Sequence, residues 1–221
     1  FEDIPIPVER IPTHEGTDLA YVKTLAREAG HVFYIEPGPL PGANVAYWGP
    51  EIRLGMVQPA LTLGMDVHSN VESLSFAVNQ SGAEIPIVFI QNPITKFPIP
   101  LPVPDVSLAN PPLGLIPPMP KSVKLMKETA KLSPIAALGK GLAAAAGSSA
   151  DAVTGDGSLD VLRYGHVLKA RQLVGVRGAG LSFDGLYYVK KVSSKLKAGE
   201  FKQSFSLARN GLISTLPLVP A

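Results

Sequence analysis

Apolar residues recur along this chain in three rhythms, and each rhythm predicts a different kind of element. The first is helical. Leu19, Val22, Leu25, Ala26 and Ala29 fall on one face, with Lys23, Arg27 and Glu28 on the other, so the spacing predicts an amphipathic helix over 17–29. Thr17 suits its N-cap, Glu15 and Asp18 suit its positive end, and Gly30 suits the C′ position. Behind it, His31 to Ile35 is β-branched and aromatic, Pro37 to Gly42 is turn-forming, and Ala43 to Trp48 reads as the return strand of a hairpin.

The second rhythm has period two. Leu74, Phe76 and Val78 alternate with Ser73, Ser75 and Ala77, which marks a strand with one buried face. Ile85 to Ile90 is a further apolar strand, and Pro86 near its start suits a strand beginning or an edge. Leu173 to Val176 is a short strand. Leu186 to Val189 opens a longer one that runs to about Leu196. Lys197 to Glu200 makes a turn, and Phe201, Phe205 and Leu207 alternate with polar residues on the return.

The rest lacks a regular period. Residues 93–120 hold 10 of the 22 prolines, interleaved with Ile94, Phe97, Ile99, Leu101, Val103, Leu113, Leu115, Ile116 and Met119. Proline fixes φ and donates no hydrogen bond, so this segment is expected to be a strap along apolar surface, neither helix nor sheet. Lys121 to Leu132 and Pro134 to Ala146 are expected to be helical, the second weakened by Gly139 and Gly141. Residues 147–158 are small and polar and read as a flexible connector. Residues 1–12, with Pro5, Pro7 and Pro12, read as an extended linker.

Composition narrows the classes. The 221 residues suffice for one large domain or two small ones, and apolar residues make up 46% against 17% charged. Cysteine is absent, which excludes a disulfide framework, thiolate metal sites and Cys nucleophiles. No apolar run is long enough to span a bilayer, so no membrane insertion is expected. Charge is unevenly spread: residues 1–120 carry 5 Lys/Arg and 12 Asp/Glu (net −7), and residues 121–221 carry 15 and 6 (net +9). No aromatics are interleaved with a dense basic run, so nucleic-acid binding is not expected. Opposite charge in the two halves instead suits faces that meet between subunits.

The search for chemistry finds no constellation. His14, His31, His68 and His166 share no metal-binding spacing, and no HExxH occurs. Asp156, Asp160 and Asp184 stand near glycines, but the EF-hand spacing is not met and turn chemistry explains them. Gly175, Gly178 and Gly180 follow a strand without forming a dinucleotide or phosphate loop, which points to tight strand-to-strand turning. No GxSxG is present. No catalytic, cofactor-binding or metal-ligating residue is therefore assigned.

Several stretches carry a resemblance. Thr17 to Tyr34 resembles the late control D family of contractile phage tails, as does Ala46-Tyr47-Trp48-Gly49-Pro50. Arg163-Tyr164-Gly165, Val176-Arg177-Gly178-Ala179-Gly180, Asp184-Gly185-Leu186-Tyr187-Tyr188-Val189 and Phe205-Ser206-Leu207-Ala208-Arg209 add to it. These lie within 1–65 and 155–210; the Pro-rich and Ala-rich middle matches no pattern of the family.

The resemblance implies a baseplate hub, related to a module of type VI secretion spikes. Such a hub is a homotrimer whose subunits each carry two tail-tube-like β-barrels, matching a threefold spike to a sixfold tube. The tail tube protein would lie above, a spike protein or domain below, and baseplate wedge proteins around it. Assembly would occur in the bacterial cytoplasm, and the product would be part of a virion tail or injection particle.

The expected fold class is thus α+β and β-rich: a small α+β hub domain over 1–60, a tail-tube-like β-barrel from 61–92 with 155–212, and a Pro-rich and helical insertion over 93–154. The first barrel would precede Phe1, in keeping with the absent initiator Met. The competing readings are a tail-tip cell-wall-degrading enzyme and a carbohydrate-binding β-module. The first needs a Glu, Asp, His or Ser constellation, and the second needs exposed aromatic platforms where the chain has a single Trp.

Overall fold

The computed structural model describes residues 14, 16–64, 66–79, 83–92, 94–105, 110–126, 129 and 132–216. The linker expected over 1–12 lies outside them. In chain order the first elements are α1 (Asp18–Glu28), β1 (Val32–Pro37), β2 (Asn44–Gly49), β3 (Val57–Thr62), β4 (Ser73–Val78), β5 (Ala83–Gln91) and β6 (Pro98–Pro102). There follow β7 (Gly114–Ile116), β8 (Pro120–Met126), α2 (Pro134–Ser149), β9 (Val153–Asp160) and α3 (Val161–Tyr164). The last four are β10 (Leu173–Arg177), β11 (Gly185–Lys197), β12 (Glu200–Arg209) and β13 (Leu212–Ser214). The fold is α+β and β-rich, as expected.

Packing divides the chain into two compact units. The first comprises 1–52, 85–106 and 123–145; the second comprises 53–84, 107–122 and 146–221. The charge halves are redistributed accordingly. The first unit holds 8 Lys/Arg and 10 Asp/Glu (net −2) and the second 12 and 8 (net +4), so the opposition of −7 and +9 does not survive folding.

In the first unit, Thr17 Oγ1 accepts a hydrogen bond from the Ala20 amide (3.3 Å) and starts α1. The helix closes with the His31 amide on Ala26 O (2.7 Å) and the Gly30 amide on Arg27 O (3.1 Å). That double closure needs a left-handed residue, and Gly30 supplies it at φ +71. β1 and β2 form the expected hairpin, with Phe33 opposite Trp48 and Tyr34 opposite Tyr47, the two tyrosine rings stacked at 4.8 Å.

Two expectations fail in this unit. The Pro-rich segment contains strands, β6 and β7: β6 pairs with β5, which β8 flanks on its other side. The register explains how a strand tolerates three prolines. Val103 donates to Pro86 O (2.9 Å), and Leu101 and Ile99 stand opposite Val88 and Ile90. Donors of β6 therefore face β5 at 99, 101 and 103, while Pro98, Pro100 and Pro102 occupy the positions whose amides would point outward. Proline is at home on such an edge, and it blocks further pairing there. The second failure is Lys121 to Leu132, expected as helix, where Pro120–Met126 is strand β8. Val123 and Leu125 alternate with Lys124 and serve period two as well as a helical face; the strand beside β5 wins because it satisfies that strand's second row of backbone groups. Helix α2 covers the sheet, and Gly141 sits so close to Val88 and Val103 that a Cβ there would come within 2.7 Å and 2.8 Å of them.

The second unit is built on a curled six-stranded sheet in the order β3-β10-β11-β12-β9-β4, parallel between β3 and β10 and otherwise antiparallel. It is a half-barrel with β3 and β4 as its ends. Residues 147–158 are not a connector: α2 runs through Ser149 and β9 begins at Val153. The glycines that suggested flexibility make room instead. A Cβ at Gly155 would stand 2.9 Å from the Phe76 ring, and one at Gly157 would stand 2.7 Å from the Phe205 ring.

Leu74, Phe76 and Phe205 share one core with Leu61, Val174, Tyr187 and Leu207. Tyr188 belongs to a second cluster with Ala60, Leu113, Leu173 and Leu186, because successive strand residues face opposite sides of the sheet. Behind that core, β7 and β13 pair as a short two-stranded sheet.

A buried cation closes the second cluster. Arg53 lies over the Tyr188 ring (5.0 Å), donates to Ala150 O (2.7 Å) and pairs with Asp151 (3.1 Å), which Lys190 also holds. Burial pushes the Asp151 carboxyl up, but Lys190 and Arg53 together outweigh it and hold the group below its ordinary 3.8. A depressed carboxylate pKa stabilises the fold fully above the unfolded value, and that contribution is lost as pH falls through the folded one. Asp151→Asn is therefore expected to cost about 1–3 kcal/mol at pH 7, between the values for exposed and buried pairs. The gap to the parent should shrink below pH 3.8 in chemical denaturation; a pH-independent gap would contradict the assignment.

Candidate functional site

Three of the segments that carry the resemblance in the C-terminal half, 176–180, 184–189 and 205–209, meet in the second unit, at the loop 178–184 between β10 and β11; Arg163-Tyr164-Gly165 lies apart, in α3 and its C-cap. Gly178 begins the loop at φ +82, and a Cβ there would stand 2.0 Å from Leu63 O, so only glycine fits. Phe183 and Asp184 amides both donate to Gly180 O (2.9 and 2.8 Å), and Asp184 Oδ1 accepts from the Ala179 amide (2.7 Å). This is turn chemistry, as expected for Asp184.

Arg209, at the end of β12, braces the loop from below. Its side chain is fully buried. Nη1 donates to Asp184 O (2.8 Å), Nη2 to Ser182 O (2.7 Å) and Nε to Gly211 O (2.8 Å), and the guanidinium lies 4.5 Å from the centre of the Tyr187 ring. Burial lowers its pKa, with Tyr187 and Asp184 opposing that shift. Burial likewise pushes the Tyr187 phenol up to about 12, Arg209 pulling the other way and Asp184 adding to the rise. Tyr187 donates to Phe183 O (2.8 Å), and the Phe183 ring stacks on Phe76 at 5.0 Å.

The arrangement presents one side chain. Leu181 is 90% exposed at the crest of a loop whose neighbours are hydrogen-bonded or stacked on both sides. A rigid loop loses little conformational entropy on docking, so an apolar knob displayed this way suits a protein contact. It offers no chemistry: the cation is buried and its donors are engaged. Sequence reasoning missed both residues, although each left a signal. Arg209 ends a mostly apolar buried run, and Leu181 is, with Phe183, one of two large apolar residues in an otherwise small and polar loop.

A second feature lies on the polar face of the six-stranded sheet, where Asp156, Lys191, Ser193, Ser204 and Ser206 line a shallow cavity of about 180 Å³. Ser206 donates to Asp156 (2.5 Å), and Ser73 and Ser158 share a hydrogen bond of 2.9 Å. The histidines stand apart from it: His14 against Tyr21, His31 against Trp48, His166 against Tyr164, and His68 in a 3₁₀ turn. Asp160 caps α3 through the Leu162 amide (2.9 Å). Among the described residues, no three His, Asp or Glu come together to hold a metal ion. No described helix is long and apolar enough to cross a membrane.

No family model matches this sequence, and no curated protein matches it. Solved structures do. The tail protein from Neisseria meningitidis MC58 superposes with a TM-score of 0.57 at 11% identity, over 91% of this chain and 57% of that one. The 43 kDa tail protein of prophage MuSo2 from Shewanella oneidensis superposes with a TM-score of 0.55 at 14% identity, over 85% and 53%. The chain thus shares its fold with these tail proteins and spans about half their length.

Proposed function

We propose that this chain is a structural module of a baseplate hub that joins the tail tube to the central spike of a contractile phage tail or phage-derived injection system. The observation that carries this reading is the fold shared with two tail proteins over most of the chain. The late control D segments support it, since those in 176–209 build the braced loop of the second unit. In this reading the hub is a homotrimer, with the tube protein above, the spike below and wedge proteins around it, and the second unit is its tail-tube-like module. Its work is contact rather than catalysis: Leu181 is held out on a rigid loop, and the serine hydroxyl at Asp156 has no histidine beside it.

Sedimentation of the full-length protein tests the assembly. A trimer is expected, and a monomer across concentration and salt would overturn the hub reading. Because the two units differ by only −2 and +4, the trimer is expected to persist when salt is raised, since exposed ion pairs contribute about 0–1 kcal/mol each. Hydrolysis of peptidoglycan by the purified protein, abolished by one carboxylate substitution, would overturn the non-enzymatic part.

A further inference from the structure

The six-stranded sheet ends at two edges, β3 and β4, and they are finished differently. At the end of β3 the Leu63 amide donates to Arg177 O (2.9 Å), toward β10, so alternation turns the backbone groups of Ala60 and Thr62 the other way. Asn70 takes them. Its Oδ1 accepts from the Thr62 amide (2.7 Å) and its Nδ2 donates to Ala60 O (2.8 Å). Its own amide donates to Thr62 O (3.1 Å), to which Ser69 Oγ also donates (3.1 Å). A side-chain amide offers the same donor and acceptor as a peptide unit, so Asn70 stands where one residue of a further strand would stand. Gln203 is used in the same way, clasping the Leu168 N–H (2.9 Å) and C=O (3.1 Å). β4 has no such cap. The Asn79 amide donates to Ala152 O (2.8 Å), toward β9, which turns the backbone groups of Leu74, Phe76 and Val78 outward. Among the described residues no strand stands beyond them.

We propose that Asn70 guards the β3 edge: by occupying its pairing positions, it prevents a second copy of this chain from adding the open edge of its β4 there. The sequence of both strands makes a guard necessary. Edges are ordinarily protected by charge, proline or a bulge. Val57 to Thr62 carries no charge, and Leu54, Met56 and Val57 beside it are exposed and apolar. Pro59 removes one donor upstream, which leaves Asn70 as the device at Ala60 and Thr62. The mate is equally unprotected. Ser73 to Val78 reads Ser-Leu-Ser-Phe-Ala-Val, with neither charge nor proline, the composition of segments that pair between chains. An unguarded β3 and an open β4 are complementary ends of one sheet, so each added copy would present a fresh β4 or β3 to the next, and growth would not close on itself at a fixed number of copies.

Two substitutions separate guarding from mere stability. Asn70→Ala frees Ala60 O and the Thr62 amide and leaves the edge uncharged. Asn70→Asp also loses the bond to Ala60 O, but it places a charge on the edge, and charge blocks strand addition. In the full chain, Thr62 amide exchange should quicken about tenfold in Asn70→Ala, while the amides of β12 stay slow and show the sheet intact. Sedimentation over a concentration series should then show Asn70→Ala forming species larger than the parent's, and Asn70→Asp keeping the parent's distribution. Adding Val78→Lys to Asn70→Ala, a charge on the open edge of β4, should restore that distribution. An Asn70→Ala protein with quickened Thr62 exchange and the parent's distribution would overturn the proposal. So would association of Asn70→Asp as strong as that of Asn70→Ala, or association that Val78→Lys leaves unchanged. If Asn70→Ala does not fold, Asn70→Ser frees Ala60 O more gently and is compared with Asn70→Asp in its place. Every variant is read against the parent, so the result stands apart from whether the parent is a trimer.

Discussion

Arg209→Ala is expected to destabilise the second unit by roughly 3–5 kcal/mol, the range for breaking a buried charged network. The side chain is fully buried and donates to three backbone carbonyls, those of Ser182, Asp184 and Gly211. Alanine would strip all three of their charged donor at once, and each orphaned group costs about 1–3 kcal/mol if water cannot reach it. It would also remove the guanidinium from the Tyr187 ring. Against a total stability of about 5–15 kcal/mol this is a large share, and it should lower the melting temperature by roughly 10 °C. Arg209→Lys separates charge from geometry. An ammonium keeps the charge but lacks the planar fork that reaches carbonyls on two segments, so about half of the loss should remain. Chemical denaturation of the three proteins decides the matter; an alanine variant within about 1 kcal/mol of the parent would mean the brace is dispensable.

Leu181→Asp is expected to do the opposite: leave folding alone and damage assembly. Leu181 is almost wholly exposed and its loop is held by its neighbours, so the variant's stability should stay within about 0.5 kcal/mol of the parent. If the knob is buried between subunits, a carboxylate there must be desolvated without a partner. That costs about 2 kcal/mol or more and weakens association roughly thirtyfold. Leu181→Met, which keeps an apolar side chain of similar size, should assemble normally. Sedimentation of the full-length protein across a concentration series provides the check. A Leu181→Asp trimer as tight as the parent would remove the loop from the interface.

Together the two substitutions separate what Arg209 and Leu181 contribute to one loop. The guanidinium sets the loop's shape, and the leucine is what that shape displays. Arg209→Ala should therefore impair assembly indirectly, in proportion to its loss of folded protein, whereas Leu181→Asp should impair it at full folding. The Asp151→Asn variant serves as a further control, because it loosens the second unit at Tyr188 and Lys190, away from the loop.

The sequence alone determined those elements whose signals lie within a few residues of one another. Helix α1 is one, with Thr17 and Gly30 at its ends, because capping hydrogen bonds are local. The β11–β12 hairpin is another, where Ala198 and Gly199 form the turn and alternation sets the register from Lys197 back to Lys191, beyond which the pairing shifts by one residue. The turn role of Asp184 was equally legible, since its acceptor meets an amide five residues away. What only the tertiary structure decided are the elements whose partners are remote in sequence. Pro98–Pro102 is a strand because β5 lies beside it and needs exactly one side of its backbone groups met. Pro120–Met126 is a strand for the same reason on the other side. Gly155 and Gly157 belong to a strand because Phe76 and Phe205 need the space. Arg209 is buried because carbonyls 25 and 27 residues earlier converge on it. In each of these the local propensity was ambiguous or adverse. The free energy of satisfying a distant strand's backbone groups or filling a core outweighs it, and neither quantity is written in the residues that respond to it.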